Sequence, residues 1–272
     1  VTGCIADFLP TPTPLPIELT FAYRQNTVNM QPLLDAFHAK YPWITVKAME
    51  VDRWSGGAVA NAVRTGNVDV FRDTRDQAIQ YAHQGLLKPI EEFLSADWQS
   101  IRGDYYGGVW DALTVDGVQY GVPAGLDLYV SYVNREAIKT LGLKVPQPGW
   151  NLFDMLALSD QLNYPDGMPG NESVKMAGCC TDPLSIDPVI FIYLYGGSIV
   201  DDLENPTRPT LDDKQTVEAV QWYSDLFNIH AVAPDPTFIR KTFPRGGMTE
   251  AIITGYCGVW LGWYSNRGGL DT

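Results

Sequence analysis

The sequence is poor in residues that hold metals or act as nucleophiles. Its 272 residues include only three histidines (His38, His83 and His230) and four cysteines (Cys4, Cys179, Cys180 and Cys257). The histidines are scattered and no Cys-x-x-Cys spacing occurs, so no zinc site is expected. Asp201-Asp202 and Asp212-Asp213 lack the alternating acids and distal Glu of a calcium loop and read as solvated loops. Gly-x-Ser-x-Gly and phosphate-loop motifs are absent, and nothing signals a cofactor. Basic residues are also few, 19 against 32 acids, for a net charge of −13 and a pI near 4.5. That field argues against nucleic acid and against a basic membrane-binding face. No run of about 18 apolar residues is present, so no membrane-spanning helix is expected. No internal repeat is visible.

What is there fits a folded α/β chain. Hydrophobic residues make up 45% and charged residues 19%, while aromatics reach 12% with eight Trp and fourteen Tyr. The length suits two lobes better than one compact domain. Cys179 and Cys180 read as small residues at a strand end, and a disulfide from one of them to Cys257 stays open.

Val1-Thr2-Gly3-Cys4 is similar to a bacterial lipobox, with Cys4 as the lipidated residue. The proline run up to Pro16 reads as an extended tether. A lipid anchor and stiff spacer would hold a folded chain near a membrane without inserting it. The apolar part of a signal peptide is absent, so the sequence is expected to begin inside a longer precursor.

Three strand-and-helix pairs follow. Residues 17–23, 44–51 and 68–71 read as strands, and 29–41, 58–63 and 75–84 as helices. This order implies a parallel sheet with right-handed crossovers. Ligands bind beyond the carboxyl ends of such strands. The rule points to Tyr23, Arg24 and Asn26 after the first strand, to Trp54 after the second, and to residues 72–76 after the third.

Asp116-Gly117 between Val115 and Val118 is a hairpin signature. Pro123 and Gly125 then interrupt the chain before a second β-rich run, 128–133. This reads as a crossover between lobes, with Asp127 at the joint pointing into a cleft. Beyond it, helices are expected at 136–141, 152–162 (capped by Asn151), 187–195 (buried), 216–227 and 248–253. Strands are expected at 174–178 and 257–263. The 216–227 helix is read with Val217, Val220, Tyr223, Leu226 and Phe227 inward.

These pieces, taken in order, resemble the extracellular solute-binding proteins of ABC importers, in the maltodextrin-binding-like carbohydrate branch (family 1). The resemblance rests on Phe37 to Pro42, Gly66 to Val70, Tyr81 to Ile90, Asp116 to Pro123 with Tyr132 to Asn134, Pro146 to Trp150, and Thr242 to Met248 with Gly258 to Trp260. Val68, Gly149 and Gly247 depart from the family's pattern. The resemblance implies an α/β, two-lobe periplasmic-binding-protein-like fold with a ligand cleft between lobes. Residues 1–16 would be the tether, 17–123 the first lobe and 124–272 the second. Family members run about a hundred residues further, so part of the first lobe's C-terminal return is expected to be missing.

The same resemblance implies a monomeric carbohydrate-binding protein, not an enzyme, whose partners are a sugar and ABC permease subunits. It lays ligand contacts on Asp73 and Asp76 with Arg72 beside them, on Asp127, and on Trp260 and Trp263 as stacking rings. Each has a plainer alternative. Residues 72–76 could be a solvated helix start, Asp127 a turn cap, Trp260 and Trp263 core, and Trp54 packing on its own loop. A polyamine-like solute is the competing ligand class, and paired carboxylates such as Asp73 and Asp127 are the feature that would suit a glycosidase.

Overall fold

The computed structural model describes residues 14–24, 29–51, 58–94, 98–203 and 206–269. Asn26, Trp54 and Cys4 lie outside the described residues, as does most of the expected tether. The chain divides into two compact units, Val1–Leu126 and Asp127–Thr272.

The first unit opens with β1 (Ile17–Arg24), α1 (Gln31–Lys40), β2 (Ile44–Val51), α2 (Ala58–Arg64), β3 (Val70–Phe71) and α3 (Arg75–His83). β1 is central and parallel to both neighbours, in the order β2-β1-β3. β3 is shorter than expected. The Asp69 carboxylate accepts the Thr20 N–H at 2.8 Å, so a side chain takes a donor that the ladder would otherwise use. Pro32 begins α1, where its missing N–H costs nothing. No residue of α1 is buried, and Leu33 on its apolar stripe is 59% exposed. Among the described residues, Val59, Ala60, Val63 and Tyr81 form one buried cluster of this unit, and Ala22, Met30 and Trp110 are buried outside it.

A 3-10 turn (Glu91–Phe93), α4 (Trp98–Gly103) and α5 (Gly107–Asp111) lead to the hairpin of β4 (Thr114–Val115) and β5 (Val118–Gln119). Asp116 and Gly117 take φ of 50° and 80°, the two positive values that a type I′ turn requires. Buried Gln119 ties the hairpin down. Its side-chain N–H groups donate to the carbonyls of Trp110 (3.1 Å) and Gly121 (2.7 Å).

The second unit comprises β6 (Tyr129–Val133), α6 (Arg135–Thr140), α7 (Leu152–Gln161), β7 (Ala177–Cys180), α8 (Asp187–Tyr195), α9 (Lys214–Asn228), α10 (Pro236–Thr242), α11 (Met248–Ile253) and β8 (Cys257–Trp263). β8 is central, antiparallel to β6 and parallel to β7. Asn151 caps α7 through the N–H groups of Phe153 and Asp154, and Asp154 returns the bond to Asn151. Gly178 lets α7 meet β7, since a Cβ there would stand 1.9 Å from the Ser159 carbonyl oxygen. A core of sixteen buried residues, among them Ile138, Leu162, Phe191, Trp222 and Leu226, fills one side. Trp150 packs against it. Cys180 and Cys257 form a disulfide with Cα atoms 5.5 Å apart, and Cys179 is free and buried.

Three expectations need correction. α9 faces its core with Thr216, Ala219, Trp222, Tyr223 and Leu226, whereas Val217 and Val220 are 52% and 47% exposed. The cause is a polar clasp. The Thr216 hydroxyl donates to the Ser198 carbonyl (2.8 Å) and accepts from its N–H (3.1 Å), fixing which face turns inward. α8 buries one face, not all of them, and Leu194 is exposed. β7 starts three residues late because Met176 is spent on a bridge to Tyr164 and the Val174 carbonyl on Met168.

Candidate functional site

The carboxyl ends of the parallel strands organise both units. In the first, β1 and β3 end side by side, with the Arg72 N–H donating to the Ala22 carbonyl at 2.8 Å. Tyr23 and Arg24 therefore stand beside Arg72 and Asp73. Arg24 reaches Asp73 at 2.8 Å. The Asp73 side chain is only 1% exposed and that of Arg24 33%. Asp73 also accepts from the Thr74 N–H (2.8 Å) and from the Tyr81 hydroxyl (3.3 Å). Burial, followed by the Asp73 charge, raises the Tyr81 pKa. Asp73 is thus occupied, and Arg24 is the group it presents to solvent. Asp76 lies in the first turn of α3, 83% exposed and 3.6 Å from Arg75, apart from the Arg24–Asp73 pair.

In the second unit the edge is aromatic. The ends of β7 and β8 and the start of β6 meet there, with Tyr129 opposite Trp263. Their rings stand edge to face, 4.9 Å apart at 78°. Trp263 is 40% exposed. The Asp127 carboxylate accepts two hydrogen bonds from Ser265, one from its N–H (3.0 Å) and one from its hydroxyl (2.6 Å). The Tyr264 N–H donates to the Leu128 carbonyl. The chain entering β6 and the chain leaving β8 are thereby clamped together, and Asp127, bonded to Ser265, lies two residues along from the Tyr129–Trp263 pair.

Trp260 is elsewhere. It stacks on Tyr132, rings 5.5 Å apart and 8° from parallel, and packs against the disulfide cluster of Ala177, Cys180 and Cys257. Leu261, its neighbour, packs on the main core instead. Alternation along β8 puts Trp260 and Trp263 on opposite faces.

Four participants were not read from sequence: Thr181, Asp182, Tyr129 and Asp187. Thr181 and Asp182 follow β7 at the same edge as Trp263, and the strand-end rule would have found them had it been applied to the second lobe. Tyr129 carried no signal beyond being aromatic. Buried Asp187 accepts from the hydroxyls of Tyr129 and Thr181 and from the Asp182 N–H. Burial, reinforced by the Asp187 hydrogen bond and charge, drives the Tyr129 pKa far up. Among the described residues no group of three or more potential metal ligands is present, and no helix is long and apolar enough to cross a membrane.

Two units, each with a sheet that carries parallel neighbours and polar or aromatic groups at its carboxyl edge, match the two-lobe α/β fold. The chain belongs to the bacterial extracellular solute-binding proteins, whose family model matches residues 33–240. Solved structures share the fold. An ABC substrate-binding protein from Listeria monocytogenes in complex with cycloalternan superposes with a TM-score of 0.72 at 18% identity, covering 94% of this chain and 63% of that one. The sugar-binding protein MalE of Xanthomonas citri gives 0.73 at 17%, covering 93% and 62%. A solute-binding protein from Agrobacterium vitis with bound D-mannitol gives 0.63 at 22%, covering 94% and 60%. This chain therefore spans less than two thirds of the length of each.

Proposed function

We propose that this chain captures a saccharide outside the cell, using the carboxyl edges of its two sheets, and delivers it to an ABC import permease. The observation that carries the reading is the edge of the second unit. Trp263 offers a partly exposed indole face, Tyr129 buttresses it, and Asp127 lies alongside. A sugar ring has an apolar C–H face that stacks on an aromatic ring and a hydroxyl rim that suits carboxylates and guanidinium groups. Arg24, oriented by Asp73, supplies the latter in the first unit. Tyr23, Asn26, Trp54, Arg72 and Asp76 remain candidate contacts of the same site, whereas Trp260, on the opposite face of β8 from Trp263, lies away from it. A saccharide touched by both edges would favour whichever arrangement allows both sets of contacts. Proteins of the same fold that hold cycloalternan and D-mannitol support a carbohydrate as the cargo.

Binding without turnover is part of the proposal, and so are a monomer and the absence of a cofactor. Both carboxylates that a glycosidase could use are engaged as acceptors, Asp73 by Arg24 and Asp127 by Ser265. Lipidation at Cys4 would hold the chain at the membrane, and Cys4→Ser would release it into the medium. The test of function is a thermal-shift screen of the full chain against mono- and oligosaccharides, with polyamines alongside. A saccharide that raises Tm supports the reading. A shift from a polyamine alone would retain the importer role and remove the sugar, and hydrolysis of a glycoside in the same samples would remove both.

A further inference from the structure

We propose that Asp187 is a positioning residue for the saccharide edge, acting through Tyr129 on Trp263. The inference rests on the saccharide reading of that edge. Asp187 opens α8 and is 5% exposed. One of its carboxylate oxygens accepts from the Tyr129 hydroxyl. The other accepts from the Thr181 hydroxyl and the Asp182 N–H, both at 2.9 Å. Its own N–H donates to the Ser185 hydroxyl at 3.1 Å. The Thr181 hydroxyl also meets the Tyr223 hydroxyl at 3.0 Å, which extends the network into α9. Among the described residues the ion pairs do not include Asp187.

A buried carboxylate with no cation is a poor way to gain stability. Apolar groups of the same volume would serve as well or better. What a fully satisfied polar network offers is a single geometry where apolar packing tolerates several. Here that geometry has a direction. A carboxylate only accepts, so the Tyr129 hydroxyl must donate, and its phenol axis points at Asp187. Tyr129 is then fixed at both ends, by β6 at its backbone and by Asp187 at its tip. The ring edge meets the Trp263 ring at 78° and 4.9 Å, and so limits how the indole can turn. Trp263 is the last residue of β8 and its ring is partly in solvent. Without the Tyr129 wall, that ring would sample several rotamers and lose them on binding. The same carboxylate holds the backbone N–H of Asp182, so the loop leaving β7 is set by the same group.

The experiment uses the full chain and the variants Tyr129→Phe and Asp187→Asn. The probe is whichever of maltose, cycloalternan and D-mannitol stabilises the wild type most. Each variant is expected to raise Kd about tenfold while far-UV circular dichroism stays native. The double variant should be no weaker than Asp187→Asn alone, because Tyr129→Phe removes only a bond that Asp187→Asn already perturbs. The second readout needs no ligand. The Trp263 emission, taken as the difference from Trp263→Phe in the same background, should shift to longer wavelength and lose anisotropy in both variants. Unchanged Kd with unchanged Trp263 emission in folded Tyr129→Phe would overturn the inference, and so would a fall in Tm with Trp263 emission unmoved. Should the wild type bind none of the saccharides, the saccharide reading fails and the emission readout alone decides whether Asp187 positions Trp263. If Asp187→Asn does not fold, Tyr129→Phe carries the test.

Discussion

Among the described residues the first unit's buried cluster has four members, supplied by α2 and α3, while α1 has no buried residue. The second buries sixteen residues in one cluster and adds a disulfide that closes a separation of 77 residues. Their edges differ in the same sense. The first offers a guanidinium held by one ion pair, Arg24 on Asp73, whereas the second offers a tryptophan backed by a tyrosine and a buried hydrogen-bond network. The contrast suggests a division of labour. Under the proposed function the second unit would supply the aromatic platform and the first the hydrogen-bonding groups.

The disulfide gives the largest lever on this contrast. Chain-entropy arguments put the stabilisation from closing a loop of that length at about 4–5 kcal/mol. Cys180→Ser should lower the unfolding free energy of the second unit by that amount, read as a lower unfolding midpoint, and leave the transition of the first in place. A common shift of both transitions would break the comparison. Alkaline pH should separate the units next. Burial, aided by the Asp187 charge, pushes the Cys179 thiol up to about 12. Tyr129 and Tyr223 are raised in the same unit, mainly by burial, against Tyr81 in the first. These groups have higher pKa values folded than unfolded, so the unfolded chain loses its protons first. Their contribution is complete below about pH 8.5 and is lost as pH rises, by up to about 1.4 kcal/mol per unit per group. Denaturant midpoints from pH 8 to 11 should fall faster for the second unit, and Cys179→Ala should remove the part that begins near pH 9.

A smaller effect is expected at Arg24. Arg24→Met leaves Asp73 without its cation and should destabilise the first unit by about 2 kcal/mol, less than a fully buried pair because Arg24 is a third exposed. Limited proteolysis of the first unit would report it, with the second unit unaffected. The smallest effect tests the face of α9. Val217→Ser should stay within about 0.5 kcal/mol by thermal unfolding, since that side chain faces solvent.

Much of this was legible in the sequence where the signal is local. Alternation placed β1 and β2, Asp116-Gly117 placed the hairpin, and Asn151 placed the start of α7. The resemblance anticipated the family. The face of α9 was not legible, because Val217 and Val220 form as good an apolar arc as Ala219 and Trp222. A contact with Ser198, 18 residues away, decides between them. α10 was passed over although Asp235-Pro236 is a sound start signal, and the structure shows Asp235 capping Thr237. At the site, the strand-end rule found Arg24 beside Asp73. It could not tell that Trp260 and Trp263 face opposite ways, nor join Tyr129 to Asp187 across 58 residues. Pairings of that range are set by tertiary packing and leave no trace in local spacing.

The most direct test of the account is calorimetric titration of the full chain with the saccharide that raises its Tm most, alongside Trp263→Ala and Trp260→Ala. The account predicts that binding falls by at least an order of magnitude in Trp263→Ala in a chain that keeps its Tm within a few degrees. Undiminished affinity in Trp263→Ala would contradict it and move the saccharide away from the carboxyl edge of the second sheet.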